Sequence, residues 1–259
     1  MKRRSATIGA AILLAACPLL AGEIPPDQRR SGYSFMAPDT RAIQDDDNSN
    51  PGMLFALDGE KLWSKKIGTA DKACADCHGD ATETMKGVAA RYPAFDRARG
   101  RPVNLEQRIN LCRANHQQAS PLAYESHDLL ALEAYVAKQS QGVAISTGDD
   151  PQLAPFVAKG RELFMRRQGQ LNLSCSNCHN DNWDRKLAGS AITQGHPTGY
   201  PIYRLEWQTL GSLQRRLRSC ISGIRAQIYD YGTPELVDLE LYLMSRARGM
   251  PMESPAVRP

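Results

Sequence analysis

Leu173–Asn180 reads LSCSNCHN, and an earlier stretch, Ala73–Asp80, reads ACADCHGD. Each contains Cys-x-x-Cys-His. This spacing lets two thiols form thioethers with the vinyl groups of a porphyrin while the adjoining histidine reaches its iron, the mark of c-type haem attachment. CxxC alone also suits a redox dithiol or half a zinc site. Two copies, both completed by histidine, favour two covalently bound c-type haems. Cys74, Cys77 and His78 form the first site, and Cys175, Cys178 and His179 the second.

Outward from these motifs the two halves superpose as a repeat. Gly59, Leu62 and Trp63 precede Cys74 at the offsets by which Gly160, Leu163 and Phe164 precede Cys175. NLEQRINLC (Asn104–Cys112) matches SLQRRLRSC (Ser212–Cys220), placing Leu105, Arg108 and Cys112 opposite Leu213, Arg216 and Cys220. LLALEAYV (Leu129–Val136) matches LVDLELYL (Leu236–Leu243), with Glu133 opposite Glu240 and Tyr135 opposite Tyr242. Each half therefore reads as helix, haem motif, variable loop, helix and terminal helix. The expected fold is mostly α: two tandem cytochrome c-type domains related by duplication, residues 52–148 and 149–259, each enclosing one covalently bound haem. Residues 23–51, rich in Pro and Asp, read as an extended N-terminal arm wrapped on the surface. Ser126 and Thr233 suit helix N-caps, and Pro234 suits a first helical turn. Gln139–Pro155 reads as a polar linker between domains.

The chain opens with Lys2, Arg3 and Arg4, then a small apolar run from Ala6 to Leu20. This is a signal peptide over residues 1–22, too short and alanine-rich for a membrane span, and it implies a periplasmic protein. The sequence Leu14-Ala15-Ala16-Cys17 offers an alternative cleavage that would leave a lipid-anchored Cys17. No other stretch is long and apolar enough to be membrane-spanning. The 32 basic and 28 acidic residues, three of the former in the leader, give a near-neutral balance that argues against a nucleic-acid partner.

Of the seven cysteines, Cys17, Cys112 and Cys220 remain outside the haem motifs. In an exported protein a Cys112–Cys220 disulfide is the ordinary reading. The repeat opposes it, because equivalent residues should each line their own haem pocket. The sharper reading makes each the sixth ligand of its iron. Leu213, Leu217, Cys220 and Ile224 fall on one helical stripe, and Leu105, Ile109 and Cys112 repeat it. A soft sulfur ligand would lower the iron's potential. His116, one α-turn beyond Cys112, is the competing ligand in the first half, although its counterpart Ile224 cannot ligate. His127 and His196 read as loop or capping residues, and Met85, Met165 and Met244 as core. Arg215, Arg216, Arg218 and Arg225 surround Cys220. Arg216 lies one turn before it and leans over its approach. Arg108 holds the same place in the first half, so pairing with a haem propionate is the alternative role for both.

NPGM (Asn50–Met53), CADCHGD (Cys74–Asp80), AARYPAFD (Ala89–Asp96), QRINLCR (Gln107–Arg113), GHPTGYPIYRLEWQ (Gly195–Gln208), SLQRRLRSCISGIRA (Ser212–Ala226) and the tail ESPAVRP together resemble the SoxA family, dihaem subunits of the SoxAX cytochromes of bacterial sulfur oxidation. The resemblance covers nearly the whole chain after the leader. Some members lack the first CxxCH; this chain keeps both. The resemblance implies a SoxX-like monohaem cytochrome partner and a SoxYZ-like sulfur-carrier protein. It also implies an L-cysteine S-thiosulfotransferase that couples thiosulfate oxidatively to a carrier cysteine and passes on two electrons. In the family, the position of Cys112 ligates the first haem. That of Cys220 ligates the second as a persulfide, and that of Arg216 is the catalytic, substrate-binding arginine. The rival readings are a non-catalytic dihaem electron carrier, a carrier-independent thiosulfate dehydrogenase and, more distantly, a dihaem peroxidase.

Overall fold

The computed structural model of the protein describes residues 23–259, so the leader and Cys17 lie outside the described residues. The arm carries helix α1 (Pro38–Asp45). The first half follows with α2 (Gly52–Ser64), α3 (Ala75–His78), α4 (Ala81–Thr84), strands β1 (Ala94–Asp96) and β2 (Arg101–Val103), α5 (Leu105–Cys112) and α6 (His127–Lys138). The second half has α7 (Ala154–Met165), α8 (Cys175–His179), β3 (Lys186–Leu187), β4 (Ser190–Ala191), β5 (Ile202–Arg204), β6 (Thr209–Gly211), α9 (Leu213–Gly223) and α10 (Pro234–Arg246). The tail ends in β7 (Ala256–Arg258). The fold is mostly α and built from two cytochrome c-type halves related by duplication.

The repeat is enforced by one close helix crossing in each half. A Cβ on Gly59 would collide with the Ala131 carbonyl and lie 2.7 Å from Tyr135 Cβ; on Gly160 it would collide with the Asp238 carbonyl and lie 2.7 Å from Tyr242 Cβ. Only glycine lets α2 lie on α6, and α7 on α10, at that distance. The aromatic four residues after each glycine then enters the core: Trp63 against Tyr135, ring centroids 6.0 Å apart, and Phe164 against Tyr242 at 5.3 Å. Capping sets the starts of the next helices. Asn104 and Gln107 form a reciprocal capping box on α5, Ser212 accepts from Arg215 N on α9, and Ser126 accepts from Leu129 N on α6. Thr233 stands at the start of α10, but its hydroxyl makes no cap bond and has no partner.

Hairpins precede the ligand-bearing helices at equivalent places. β1 pairs antiparallel with β2, Asp96 opposite Arg101, and β5 pairs with β6, Arg204 opposite Thr209. Only the second hairpin gains a third strand, β7, parallel to β5. Asn50 explains the NPGM stretch: its Oδ1 accepts from Gly52 N at 2.9 Å while its Nδ2 donates to the Pro255 carbonyl at 2.9 Å, tying α2 to the tail.

Two sequence expectations need correction here. The arm is not simply extended: besides α1 it forms 3₁₀ turns at Pro26–Gln28 and Gly32–Phe35, and Gln44 of α1 accepts from Val257 N at 3.1 Å. Residues 139–155 are not a solvated linker either. Ser140, Ile145 and Thr147 are buried; Ser140 Oγ accepts from Ala89 N, and Thr147 Oγ1 donates to the Ala90 and Tyr92 carbonyls. Ile145 joins Trp63, Leu105 and Tyr135 in a core that also takes Met244, Ala247 and Met252 from the other half. The second core gathers Phe164, Leu217, Ile221, Leu236 and Leu243.

Between the halves lies a cluster of carboxyls. Glu106 and Glu240 are buried, and Glu133 Oε2 is sealed from solvent without a partner. Glu240 Oε2 accepts from Asn104 Nδ2 at 2.9 Å and Gln214 Nε2 at 3.3 Å. Burial pushes Glu240 up to about 7. Burial, reinforced by the neighbouring carboxyls, pushes Glu106 and Glu133 well above the ordinary carboxyl range.

Candidate functional site

The second CxxCH forms the short helix α8, whose start is fixed by a capping box between Ser174 and Asn177. His179 Nδ1 lies 2.7 Å from the Thr193 carbonyl. Burial holds this histidine below its ordinary pKa against the opposing pull of that carbonyl, so the ring is neutral. A carbonyl at Nδ1 selects the tautomer protonated there and leaves Nε2 free to ligate. The backing loop approaches closely: a Cβ on Gly195, at φ 72°, would lie 3.1 Å from the His179 ring. Neither Thr193 nor Gly195 belongs to the repeat, which is why sequence reasoning missed them.

In the first half, α3 presents Cys74, Cys77 and His78, with the Ala73 amide held by Asp76 Oδ2 at 2.8 Å. His78 is exposed and lies under Trp63, ring centroids 5.7 Å apart; the Trp63 indole donates to the Gly79 carbonyl at 3.0 Å. None of the six described cysteines is paired in a disulfide, so the Cys112–Cys220 bridge does not form. Among the described residues no three His, Cys, Asp or Glu side chains converge on a point as a bare metal ion requires. Donors strung along one helix, with a neutral imidazole presenting Nε2, instead suit a porphyrin anchored at two sulfurs. The residues fit a covalently bound c-type haem.

The structure brings each extra cysteine to its own motif. Cys112 lies within electrostatic reach of Cys74 and Cys77, and Cys220 of Cys175 and Cys178. Burial raises the Cys112 thiol and pushes Cys175 up to about 12, the Cys220 sulfur adding to the latter. Cys112 and Cys220 are both half-buried. His116, the competing ligand, is exposed and lies in a π-helical turn over Arg113–Gln117. His196 is buried, with Nδ1 3.0 Å from the Arg30 carbonyl, where it pins the N-terminal arm. His127 begins α6 at the surface, 3.4 Å from Asp58. Met244 is core, and Met85 and Met165 pack against it and its counterpart.

Around Cys220 the arginines separate by their partners. Arg215 lies over the Trp207 ring at 4.3 Å and 3.7 Å from Glu125. Arg218 lies over Tyr231 at 4.3 Å and donates to the Tyr229 carbonyl. Both are thus held in aromatic contacts. Arg225 adopts the left-handed backbone, φ 57°, and lines an open groove of about 670 Å³ with Arg166, Gln168 and Tyr229. Arg216 is half-buried and makes no ion pair with any carboxylate among the described residues. Its counterpart Arg108 is 2.7 Å from Asp96 Oδ2. Tyr200 lies within reach of both Arg216 and Cys220, its hydroxyl pushed up to about 12 chiefly by burial.

The family model described as "SoxA/TsdA, cytochrome c domain" matches residues 58–145 and 159–252, one segment in each half. The L-cysteine S-thiosulfotransferase subunit SoxA of Rhodovulum sulfidophilum is 38% identical over 90% of this chain and 81% of its own length. That of Pseudaminobacter salicylatoxidans is 37% identical over 90% of this chain and 82% of its own. The crystal structure of SoxXA from P. pantotrophus superposes with a TM-score of 0.86 at 31% identity, covering 89% of this chain and 87% of that one.

Proposed function

The chain belongs to the SoxA family of c-type cytochromes, and from that premise we propose that it uses Cys220 and Arg216 to couple thiosulfate to a cysteine of a sulfur-carrier protein. Its activity is that of an L-cysteine S-thiosulfotransferase subunit, in line with its relatives. The observation that carries the residue assignment is the pairing of a free, half-buried thiol with a guanidinium one turn away that no carboxylate neutralises. The first half has the same thiol and the same arginine, but there Asp96 occupies the guanidinium.

In the overall reaction the sulfane sulfur of thiosulfate bonds to the carrier cysteine sulfur. The thiol proton leaves and two electrons are removed. A bound haem in each half supplies a one-electron acceptor, held by Cys74, Cys77, His78 and Cys112 in the first and by Cys175, Cys178, His179 and Cys220 in the second. Cys220, carried as a persulfide, presents a better nucleophile and leaving group than a thiol, and belongs to the reversible sulfur modifications. Arg216 binds the sulfonate oxygens, for which its planar fork is suited. Thr193 holds His179 in the ligating tautomer.

The working assembly pairs this chain with a SoxX-like monohaem cytochrome and receives a SoxYZ-like carrier, in the periplasm. No helix among the described residues is long and apolar enough to cross a membrane. The test is Cys220→Ala. The variant is expected to retain covalently bound haem by in-gel haem staining, and to lose thiosulfonation of the carrier by mass spectrometry. Undiminished turnover would remove Cys220 from the chemistry and leave an electron carrier. Mass spectrometry of the wild-type Cys220 peptide is expected to show an added sulfur atom removable by cyanide.

A further inference from the structure

The two hairpins that precede the ligand-bearing helices differ in one charge. Asp96 ends β1 and Arg204 ends β5. Each follows Tyr–Pro–x–x, at Tyr92 and Tyr200, and each stands twelve residues before the arginine of the following helix, Arg108 or Arg216. In the first half this places a carboxylate on the guanidinium, Asp96 Oδ2 to Arg108 Nη2 at 2.7 Å. In the second half the equivalent position carries a second guanidinium, Arg204, whose charge lies within electrostatic reach of Arg216. The Arg204 side chain is only 13% exposed, and its Nε is buried with no partner. Its planar group lies over Trp207 at 5.2 Å, and its Nη2 reaches the exposed Glu206 at 2.8 Å. Burial first, and then the charge of Arg216, hold its pKa below the ordinary arginine value. Two like charges within reach of one another in a half-buried setting are mutually unfavourable, and an anion bound to both would relieve this. Tyr200 feels the charges of Arg204, Arg216 and Cys220 alike, which puts the pair and the sulfur in one electrostatic neighbourhood.

We propose that Arg204 and Arg216 together form a two-arginine subsite for the oxyanion end of a small sulfur dianion, with Arg204 the specificity-determining member contributed by β5. This rests on the reading that thiosulfate is the substrate. The orphaned Nε and the guanidinium fork of Arg204 supply donors that a sulfonate accepts. The Asp96–Arg108 pair makes the equivalent place in the first half unable to take a dianion, which confines sulfur chemistry to the second.

The test compares Arg204→Ala, Arg204→Gln and Arg204→Lys in the holoprotein with its cytochrome partner and carrier, varying thiosulfate. Losing a charge-assisted contact to a dianion is expected to raise KM about 10- to 100-fold in the Ala and Gln variants. Their haem spectra stay that of the wild type and kcat changes little. Arg204→Lys recovers part of the loss, and the salt sensitivity of KM falls with the removed charge. KM within two-fold of wild type in any neutral variant with an intact haem spectrum overturns the subsite, as does a fall in kcat alone. A wild-type protein that thiosulfonates no carrier would defeat the substrate reading itself, a different outcome.

Discussion

Replacing Glu240 by Gln should flatten the pH dependence of stability. Glu240 is 5% exposed at the contact between halves, and its carboxyl titrates at about 7 instead of the ordinary 4.5, chiefly through burial. In the unfolded chain the proton is lost near the ordinary value; in the folded chain it is kept until the pH passes about 7. The stabilisation from the neutral form is therefore fully present below the unfolded value and is lost as pH rises through the folded one. A shift of this size corresponds to about 3 kcal/mol between pH 5 and pH 8. For a chain of this length that is roughly 6–12 °C in melting temperature. Gln keeps the acceptor for Asn104 and Gln214 and has no proton to lose. Thermal unfolding of the holoprotein at pH 5, 6, 7 and 8 should show E240Q gaining on the wild type as pH rises. Glu106, Glu133 and the half-buried Glu125, raised by the same burial, leave the variant a residual slope. Parallel decline of the two proteins across the whole range would show that Glu240 is not held protonated.

Gly160→Ala should destabilise the second half by about 2–3 kcal/mol, because its new methyl meets the Asp238 carbonyl and Tyr242 at a crossing that cannot widen without opening the Phe164 core. Calorimetry reads this, and an unchanged melting temperature would mean the helices sit farther apart. Cys112→Met should alter the first haem's absorption spectrum and raise its reduction potential, as a thioether replaces a thiolate; an unchanged spectrum would show that Cys112 is not its ligand.

The helical halves were legible because the signals that specify them are local and occur twice. Cys-x-x-Cys-His, the glycine fifteen residues earlier and the Leu-x-x-Arg-x-x-x-Cys stripe all recur in register. What failed to show was whatever depends on distant contact or on a departure from α geometry. QSQGVAISTGDDP looks solvated, yet Ser140 and Thr147 spend their hydroxyls on backbone groups of residues 89–92 while Ile145 enters the core. The α-helical spacing of the sequence also carried no sign that α5 passes into a π turn at Arg113–Gln117. Thr193 and Gly195 sit in the loop where the halves differ most, so no internal comparison could reveal them.

Duplication also explains why one half can become catalytic without losing the scaffold. Positions fixed by backbone contact cannot drift: Gly59 and Gly160 meet equivalent carbonyls, of Ala131 and Asp238, and Tyr135 and Tyr242 each cover the glycine of their own half. Side chains at the ends of β1 and β5 carry no such constraint. There the halves diverge in charge, Asp96 against Arg204, over an arginine they share. A carboxylate at that place satisfies Arg108 and would repel an incoming dianion. A guanidinium there leaves Arg216 without a carboxylate partner among the described residues, while Arg204 pairs only with the exposed Glu206, so an anion reaching both is favoured. On the proposed reading, the second half trades that ion pair for an anion subsite near Cys220. That costs electrostatic stability in the free protein and returns it only when the dianion binds. A shared subsite requires the effects of Arg204 and Arg216 on thiosulfate binding to be coupled. A double-mutant cycle on Arg204 and Arg216 should therefore give a sum of separate losses that differs from the joint loss, whereas strict additivity would place them at independent sites.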